Sequence, residues 1–561
     1  MSPAAATTAV HHVASHAAAA GIGLPAIRYL SILPVIVMLG GAVLLLGLAS
    51  LVRRPLRLRM ATISMVAISG TAFGLAWWQW ADVQSRGPTT SIDHAVVMDG
   101  FSVLVTVLVT AASILSALVG EGYLSREGVR GVEFHVLALV SASGAILMAQ
   151  ANDLIIVFLG LEILSIALYV LTAFNHRRSE SGEAALKYFV LGGFSSAIFV
   201  YGIALTYGAT GTTNLTQIAD FLAHNVLVHD GVLLAGLSLL LVGFAFKVAA
   251  VPFHMWTPDV YQGAPSPVTG FMAAVAKAGG FAAFLRVFIS SFGVLQSDWR
   301  PIIYALAIVT LLVGAGLAVV QRDIKRMLAY SSINHAGFIL VGLQAATARG
   351  VSAALYYLFA YVFMVIGSFA VVTLIGGKGD RDHDLSSYRG LARRQPLLAF
   401  VFAVLLLAQA GVPFTTGFLT KFQIVIASVD AHSVPLAVVA MVSAALAAFF
   451  YLRVTVLMYG PEDGTLAPRT APTPVLAAAG TVEATRDRLN AALLLEGAVP
   501  ASGAVAVGTQ DEVRAAGRPA VAVPALAVLA IGICVAVTVV FGIIPAPLVD
   551  FAHRATLLFV P

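Results

Sequence analysis

Apolar runs of about 20 residues recur along almost the whole chain, and this repetition allows few kinds of fold. A helix needs about 20 mainly apolar residues to cross the hydrocarbon core of a bilayer. Only 11% of the 561 residues are charged, whereas soluble domains contain about 25%. We therefore predict an all-α polytopic membrane protein with about 14 transmembrane helices. The predicted spans begin near Tyr29, Met60, Met98, Val132, Asp153, Ala184, Val232, Pro267, Pro301, Met327, Val351, Leu397, Pro435 and Val521.

The distribution of Lys and Arg between these runs tests the predicted number of spans. If the N-terminus lies outside, the cytoplasmic connections hold 21 basic residues and the outer connections hold five. Cytoplasmic loops carry the excess of Lys and Arg in membrane proteins. The count supports 14 spans with both termini on the outer side of a bacterial plasma membrane. The N-terminal segment has no basic stretch before the first apolar run, and that run is too long for a signal peptide, so we predict an uncleaved first span. The net charge of +5 then reflects topology and predicts no nucleic-acid partner.

The single cysteine, Cys534, has no partner in the chain for a disulfide, and no CxxC cluster is present for zinc or an iron-sulfur centre. We therefore expect no metal, cofactor or redox centre within this chain. The connection from 461 to 520 is rich in Ala, Gly and Pro and contains no run long enough to span. We predict an extramembrane, cytoplasmic insertion without chemistry of its own.

Four charged residues lie deep inside apolar runs: Glu162, Lys247, Lys277 and Lys421. One Lys or Asp at the centre of a membrane helix opposes insertion by roughly 2.5 to 3.5 kcal/mol, and four give roughly 10 to 14 kcal/mol if Glu is treated like Asp. A penalty of this size implies a hydrated or paired setting inside the protein. Lys187 lies nearer the inner end of its run, where it either joins this set or reaches the interface.

The choice of Lys is informative because only six of the 32 basic residues are Lys, yet Lys occupies all three deep basic positions. Arg keeps its proton even when it is desolvated, whereas a buried Lys can release one. The segments AAVPF (249–253) and AGVPF (410–414) add a proline break to two distant spans. Unwound backbone at membrane depth is tolerated in protein or beside water. We predict a proton path through Glu162 and the three lysines, with Glu162 as the partner of Lys247.

His254 and His335 are possible further members of the path, because a histidine titrates near neutral pH. The alternative for each is a hydrogen-bonded structural histidine. The alternative for the whole set is a group of buried ion pairs that lock helices together. Arg286 and Arg453 lie near the ends of their spans, and we predict structural roles in which their side chains reach the headgroups.

The run KVAAVPFHMWTPDVYQGAPSPVTGFMAAVAKAGG (247–280) closely resembles the signature of the subunit N family of the proton-pumping NADH-quinone oxidoreductase, respiratory complex I. GLEILSIALYVL (160–171), RDIKRMLAYSSINHAGF (322–338) and AGVPFTTGFLTKF (410–422) resemble companion motifs. The resemblance runs from about residue 98 to 459 and resumes in the last span. It implies two inverted five-helix repeats whose spans seven and twelve are interrupted.

The resemblance also implies roles for individual residues. Glu162, Lys247, Lys277 and Lys421 match the charged residues of spans five, seven, eight and twelve in this family, and Lys187 matches a further Lys near the pair. NADH, flavin, iron-sulfur clusters and quinone are then bound by other subunits of the complex. The expected partners are antiporter-like sister subunits, small membrane subunits and the lipid bilayer. The chain would be part of an enzyme without having a redox site of its own.

These expectations give six predicted regions and three candidate functions. The leading function is proton translocation driven by NADH:quinone electron transfer, and the alternatives are a cation/proton antiporter subunit and a non-conducting scaffold of the membrane arm. The predicted regions are 1–97 (N-terminal extension and spans one and two), 98–131 (span three), 132–290 (first repeat, spans four to eight), 291–460 (second repeat, spans nine to thirteen), 461–520 (insertion) and 521–561 (span fourteen and tail).

Overall fold

Long apolar helices make up most of the structure, as the recurring apolar runs predict. The computed structural model describes residues 27–53, 56–129, 131–225, 230–461 and 523–555. The predicted insertion at 461–520 therefore lies outside the described residues except for Pro461, and residues 1–26 of the N-terminal extension also lie outside them.

The helices of the first half alternate with short connections. A small antiparallel hairpin, β1 (Thr89–Ser91) and β2 (Val96–Met98), joins the second and third helices. The helices are α1 (Tyr29–Leu51), α2 (Arg57–Arg86), α3 (Gly100–Arg126), α4 (Glu133–Gln150), α5 (Leu154–Thr172), α6 (Ser179–Thr210), α7 (Leu215–His224), α8 (Gly231–Val248), α9 (Trp256–Gly263) and α10 (Ser266–Arg286).

The second half continues the same pattern. A π-helical turn (Val287–Ser291) extends α10, and short 3₁₀ turns lie at Gly293–Leu295 and Leu385–Tyr388. The helices are α11 (Gln296–Val319), α12 (Ile324–Gln344), α13 (Ala348–Ile375), α14 (Leu391–Arg394), α15 (Pro396–Ala410), α16 (Thr416–Asp430), α17 (Val434–Tyr459), α18 (Ala525–Ile543) and α19 (Ala546–Arg554).

Twelve helices of the described chain are long and apolar enough to cross a membrane, so the chain is a multi-pass membrane protein. The predicted number of about 14 spans requires two more: α12 and the interrupted pair α15–α16. That number and the inverted repeats stay predictions.

Carboxylate side chains begin several of the helices. Asp99 accepts a hydrogen bond from the Ser102 N–H and forms a capping box at the start of α3. Asp153 and Asp323 begin α5 and α12, where their carboxylates accept hydrogen bonds from the N–H groups of Ile155 and Arg326. The first turn of a helix has unpaired N–H groups, and an Asp that accepts from one of them stabilises the helix by about 1 kcal/mol. The acidic residues at these span ends are therefore explained by local structure.

Helices α3, α10 and α13 form the centre of the protein. Every residue of α10 is buried, whereas α1, α6, α17 and α18 expose apolar side chains along one side. In a membrane protein this exposed apolar surface faces lipid or a partner. The residues that α10 carries are consequently enclosed by protein on all sides.

Arg286 corrects one expectation from the sequence. Its guanidinium donates two hydrogen bonds of 2.9 Å to the Asp99 carboxylate and one to the Ala149 carbonyl, and the side chain is only 2% exposed. It therefore does not reach the headgroups. Arg453 also bonds inside the protein, to the carbonyls of Val319 and Gln321. Both residues tie helices together.

Candidate functional site

Two helices are interrupted at the proline motifs that the sequence points to. The segment from Ala249 to Met255 separates α8 from α9, and Ala249 has a φ of 62°. The segment from Gly411 to Thr415 separates α15 from α16, and Gly411 has a φ of 94°. Each interruption leaves carbonyl groups at the end of the preceding helix without their usual partner in the next turn. These carbonyls become acceptors for buried side chains.

Glu162 and Lys247 approach each other through serine hydroxyls. The Ser196 hydroxyl of α6 donates a short hydrogen bond to the Glu162 carboxylate. The Lys247 ammonium donates to the Ser165 hydroxyl at 2.6 Å, and Ser165 lies one helical turn after Glu162. The Lys247 ammonium and the Glu162 carboxylate do not contact each other directly. The predicted pairing of Glu162 with Lys247 is therefore indirect in this structure.

A small internal cavity separates the two serines. It is lined by Ser165, Ser196 and Lys247 among others, and it offers about 10 Å³ to the centre of a water molecule. That is about the volume that one buried water occupies. The cavity can thus hold one water between the Ser196 hydroxyl, which bonds to Glu162, and the Lys247 ammonium.

Lys277 reaches the first helix interruption from α10. Its ammonium donates to the Ser332 carbonyl at 2.7 Å and lies 3.5 Å from the Val248 carbonyl, which belongs to the last residue of α8. The ring of Tyr361 lies 5.7 Å from the ammonium, within the range of a cation–π contact. Lys277 is 4% exposed, so its charge is stabilised by these groups and not by bulk water.

Hydroxyl groups and one imidazole lie between Lys277 and the second interruption. Ser332 accepts a hydrogen bond of 2.8 Å from Tyr361 through its hydroxyl. The two ring nitrogens of His335 lie 2.6 Å from the Tyr357 hydroxyl and 3.1 Å from the Tyr451 hydroxyl. A neutral imidazole donates from one nitrogen and accepts at the other. His335 is therefore able to pass a proton between two hydroxyls.

Lys421 completes the series at the second interruption. Its ammonium donates to the carbonyls of Gln409 and Ala410 at 2.9 and 2.8 Å. The Gln409 side-chain oxygen lies 3.5 Å from the Tyr451 hydroxyl, which also contacts His335. We use the name polar line for the following groups: Glu162, Ser165, Ser196, Lys247, Lys277, Ser332, His335, Tyr357, Tyr361, Gln409, Lys421 and Tyr451.

Two residues that the sequence singles out lie away from the polar line. Lys187 is 43% exposed and pairs with Glu183 at 2.8 Å and Asp259 at 2.9 Å. It lines a charged surface cleft of about 950 Å³ at the starts of α6 and α12. His254 lies half-buried within the first interruption, and its Nδ1 has no hydrogen-bond partner. The structure brings neither residue to Glu162 or Lys247.

The serines, tyrosines and Gln409 of the polar line were not singled out from the sequence. Ser and Tyr are common in apolar helices, so their presence alone predicts nothing. One local signal was available, because Ser165 lies at position i+3 from Glu162 and therefore on the same helix face. The others come together from helices that are distant in the chain.

The architecture and the buried lysines define an antiporter-like membrane protein. Residues 151–447 match the family model described as NADH:quinone oxidoreductase/Mrp antiporter, TM. A curated relative from Trichlorobacter lovleyi, NADH-quinone oxidoreductase subunit N, is 43% identical over 430 residues, which cover 75% of this chain and 87% of the relative. The chain therefore belongs to the subunit N branch of the NADH:quinone oxidoreductase/Mrp antiporter family.

Solved structures have the same fold. A chain of respiratory complex I from Thermus thermophilus superposes with a TM-score of 0.71 at 27% identity, covering 93% of this chain and all of that chain. A chain of the Mrp complex from Dietzia sp. superposes with a TM-score of 0.76 at 23% identity, covering 94% of this chain and 96% of that chain. The second likeness is evidence for the fold alone.

Proposed function

We propose that this chain is a proton-translocating subunit in the membrane arm of NADH:quinone oxidoreductase. The observation that carries the proposal is the polar line, in which Lys277 contacts the first helix interruption, Lys421 contacts the second, and the buried Lys247 lies directly before the first. The names of the relatives support the assignment to NADH:quinone oxidoreductase, since the first of them is 43% identical over most of its length.

Each lysine of the polar line has acceptors that hold its charged form. Tyrosine hydroxyls donate and accept, so those of Tyr357 and Tyr451 can exchange protons with His335 between the two interruptions. A water in the cavity beside Ser196 would connect Glu162 to Lys247. The line then runs from Glu162 through Lys247, Lys277 and His335 to Lys421. Water would bridge the remaining gaps.

The energy for transport comes from outside this chain. Moving one charge against 100 mV requires about 2.3 kcal/mol. Cys534, in α18, is the only cysteine, so the chain offers no set of thiolates for an iron-sulfur cluster. We assign the flavin, iron-sulfur clusters and quinone to other subunits, whose electron transfer would drive changes along the polar line.

The environment of Glu162 supports membrane partners. This carboxylate lies in the middle of α5 and is only half-buried by the rest of the chain. A carboxylate in a membrane helix that faces lipid is strongly disfavoured. A neighbouring membrane subunit that covers α5 and α6 would complete its burial. The excess of basic residues in one set of connections supports a topology with both termini on the outer side of a bacterial plasma membrane.

Two substitutions in the assembled complex test the function. Lys247→Ala removes an ammonium from the polar line, and Glu162→Gln removes the charge while keeping an acceptor for Ser196. We expect both variants to lose quinone-coupled proton pumping in proteoliposomes. Lys378→Ala, at an exposed lysine of a connection, is the matched control and should pump normally. Normal pumping by both polar-line variants would contradict the proposal.

Purification separates the alternatives. A subunit of NADH:quinone oxidoreductase co-purifies with flavin and iron-sulfur proteins, whereas a cation/proton antiporter subunit does not. A non-conducting scaffold would respond to Lys247→Ala with a change in assembly and with unchanged pumping in the complexes that form.

A further inference from the structure

Asp380 is a fully buried carboxylate that lies outside the polar line. It belongs to the connection after α13, and its side chain is 0% exposed. Its φ of 52° is in the left-handed region, which a residue other than glycine rarely adopts. A strained backbone and a buried charge persist only where the surrounding structure holds both. The contacts of Asp380 show what holds them.

Residues at the starts of three helices contact the Asp380 carboxylate. The Ser266 N–H and hydroxyl, at the start of α10, donate to it at 2.9 and 2.8 Å. The Lys325 ammonium, in the first turn of α12, lies 3.5 Å away and also donates to the Ala264 carbonyl. The Arg178 guanidinium, directly before α6, lies 3.3 Å away. One side chain thus connects the starts of α6, α10 and α12.

The same three helices carry much of the polar line. Lys277 lies 11 residues after Ser266 in α10, or about 16 Å along the helix at 1.5 Å per residue. Ser332 lies seven residues after Lys325 in α12, or about 10 Å. Ser196, the partner of Glu162, lies further along α6. A shift of any one helix start along its axis would be transmitted to these groups, because a helix is stiff along its length.

Asp380 remains an anion in this setting. Burial alone would raise the pKa of its carboxyl, but the Lys325 ammonium, the nearby His383 imidazole and the hydrogen bonds from Ser266 hold that pKa well below its ordinary value. The His383 imidazole lies 3.3 Å from the carboxylate. A group that keeps its charge at all physiological pH values does not carry protons. It can serve as a fixed electrostatic attachment point.

We infer that Asp380 is a positioning residue for proton transfer, whose carboxylate fixes the starts of α6, α10 and α12 relative to one another and so sets the spacing of the polar line. The inference rests on the proposed function. It concerns a residue that touches no group of the polar line and acts only through the helices it joins.

Asp380→Asn is the first test, carried out in the assembled complex. Asparagine keeps an acceptor for the Ser266 N–H but leaves the Lys325 ammonium buried without its counter-charge. We expect the rate of quinone-coupled proton translocation to fall by about tenfold or more, since small misplacements of reacting groups have effects of this size. The KM for quinone should stay unchanged. Asp382→Asn removes an exposed carboxylate from the same connection and is the matched control.

The double variant Asp380→Asn with Lys325→Met separates loss of the attachment point from the penalty of leaving the Lys325 charge unpaired. It removes both the carboxylate and the Lys325 ammonium, a change that proteins often tolerate when one partner alone cannot be removed. We expect the double variant to assemble and to translocate protons about tenfold or more slowly than the wild type, because the carboxylate that joins the three helix starts is still absent. This expectation holds whether or not the single variant assembles.

The outcomes are distinct. Unchanged translocation in Asp380→Asn overturns the inference, and so does a double variant that assembles and translocates at close to the wild-type rate. A double variant that fails to assemble overturns it as well. The Lys247→Ala complex is purified and assayed in parallel by the same procedure. If that variant pumps normally, the proposed function fails; if it does not pump and Asp380→Asn does, only the positioning role fails.

Discussion

The two helix interruptions use a buried lysine in different ways. At the first, Lys247 lies before the break and donates to a side chain, the Ser165 hydroxyl, while Lys277 from another helix approaches the freed carbonyl of Val248. At the second, Lys421 lies after the break and donates directly to the freed carbonyls of Gln409 and Ala410. Side chains or carbonyls from three helices, α5, α8 and α10, therefore meet at the first interruption. At the second, the lysine of the helix that follows the break bonds to the carbonyls that precede it.

This difference separates two means of holding a cation inside a membrane. Backbone carbonyls are fixed dipoles that neither take nor release a proton. A serine hydroxyl next to a carboxylate belongs to a network in which protons can be rearranged. The second interruption thus favours the charged lysine through fixed groups, whereas at the first the Lys247 ammonium donates to a hydroxyl that shares a cavity with Ser196, the partner of Glu162.

Exchanging lysine for arginine at the second interruption gives the sharpest comparison. Lys421→Arg keeps a cation beside the carbonyls of Gln409 and Ala410, but arginine does not release its proton. We expect the loss of quinone-coupled pumping to match that of Lys421→Ala, at least about a hundredfold in rate. Pumping is measured in proteoliposomes at equal amounts of assembled complex. If the Arg variant pumps and the Ala variant does not, Lys421 acts as a fixed cation.

Removing a hydroxyl should affect the first interruption less. Ser165→Ala deletes the hydrogen bond of 2.6 Å to the Lys247 ammonium. A hydrogen bond to a charged group contributes about 1.5–3 kcal/mol, so we expect the pumping rate to fall by roughly 10- to 150-fold. Ser113→Ala is the matched control, since Ser113 is buried in α3 and bonds only to the Val109 carbonyl of its own helix. Equal rates in the two variants would remove Ser165 from the polar line.

The positions of Lys247, Lys277 and Lys421 and both interruptions followed from the sequence, because charge and proline within apolar runs are local signals. The partners of these lysines did not follow. The Ser332 carbonyl reaches Lys277 across 55 residues, and the Asp99 carboxylate reaches Arg286 across 187 residues. Apolar helices that are hydrophobic on all sides have no pattern that selects a packing partner, so long-range contacts of this kind remain invisible in one sequence.

The two interruptions have different residues, Gly411 and Ala249, at the position with a positive φ. Measurements of stability can test this difference. Gly411 has a φ of 94°, and a Cβ there would lie 3.1 Å from the Lys421 Cδ. Gly411→Ala should destabilise the protein by about 1–2 kcal/mol through backbone strain. Ala249 already adopts a φ of 62°, so Ala249→Gly should be neutral within about 1 kcal/mol, because relief of strain offsets the entropy that glycine loses.

Thermal dissociation of the purified complex, followed on native gels, measures both substitutions at the interruptions. The expected order is that the Gly411→Ala complex dissociates at a lower temperature than the wild type and that the Ala249→Gly complex does not. Pumping should fall in Gly411→Ala as well, since the added methyl group displaces the Lys421 side chain. Equal stabilities of the two variants would mean that both interruptions tolerate a change between glycine and alanine equally well, which would contradict the prediction.

Among the four lysines that the sequence singles out, we expect substitution of Lys187 to reduce pumping least. Its ammonium faces the charged cleft and pairs with Glu183 and Asp259, and Asp259 also pairs with Arg326 at 2.7 Å. Ion pairs at exposed positions contribute about 0–1 kcal/mol, which corresponds to a factor of about five at most. Lys187→Ala should therefore pump within about fivefold of the wild type. A loss as complete as that of Lys247→Ala would place Lys187 on the obligatory path, and the charged cleft would then be where protons enter the first interruption.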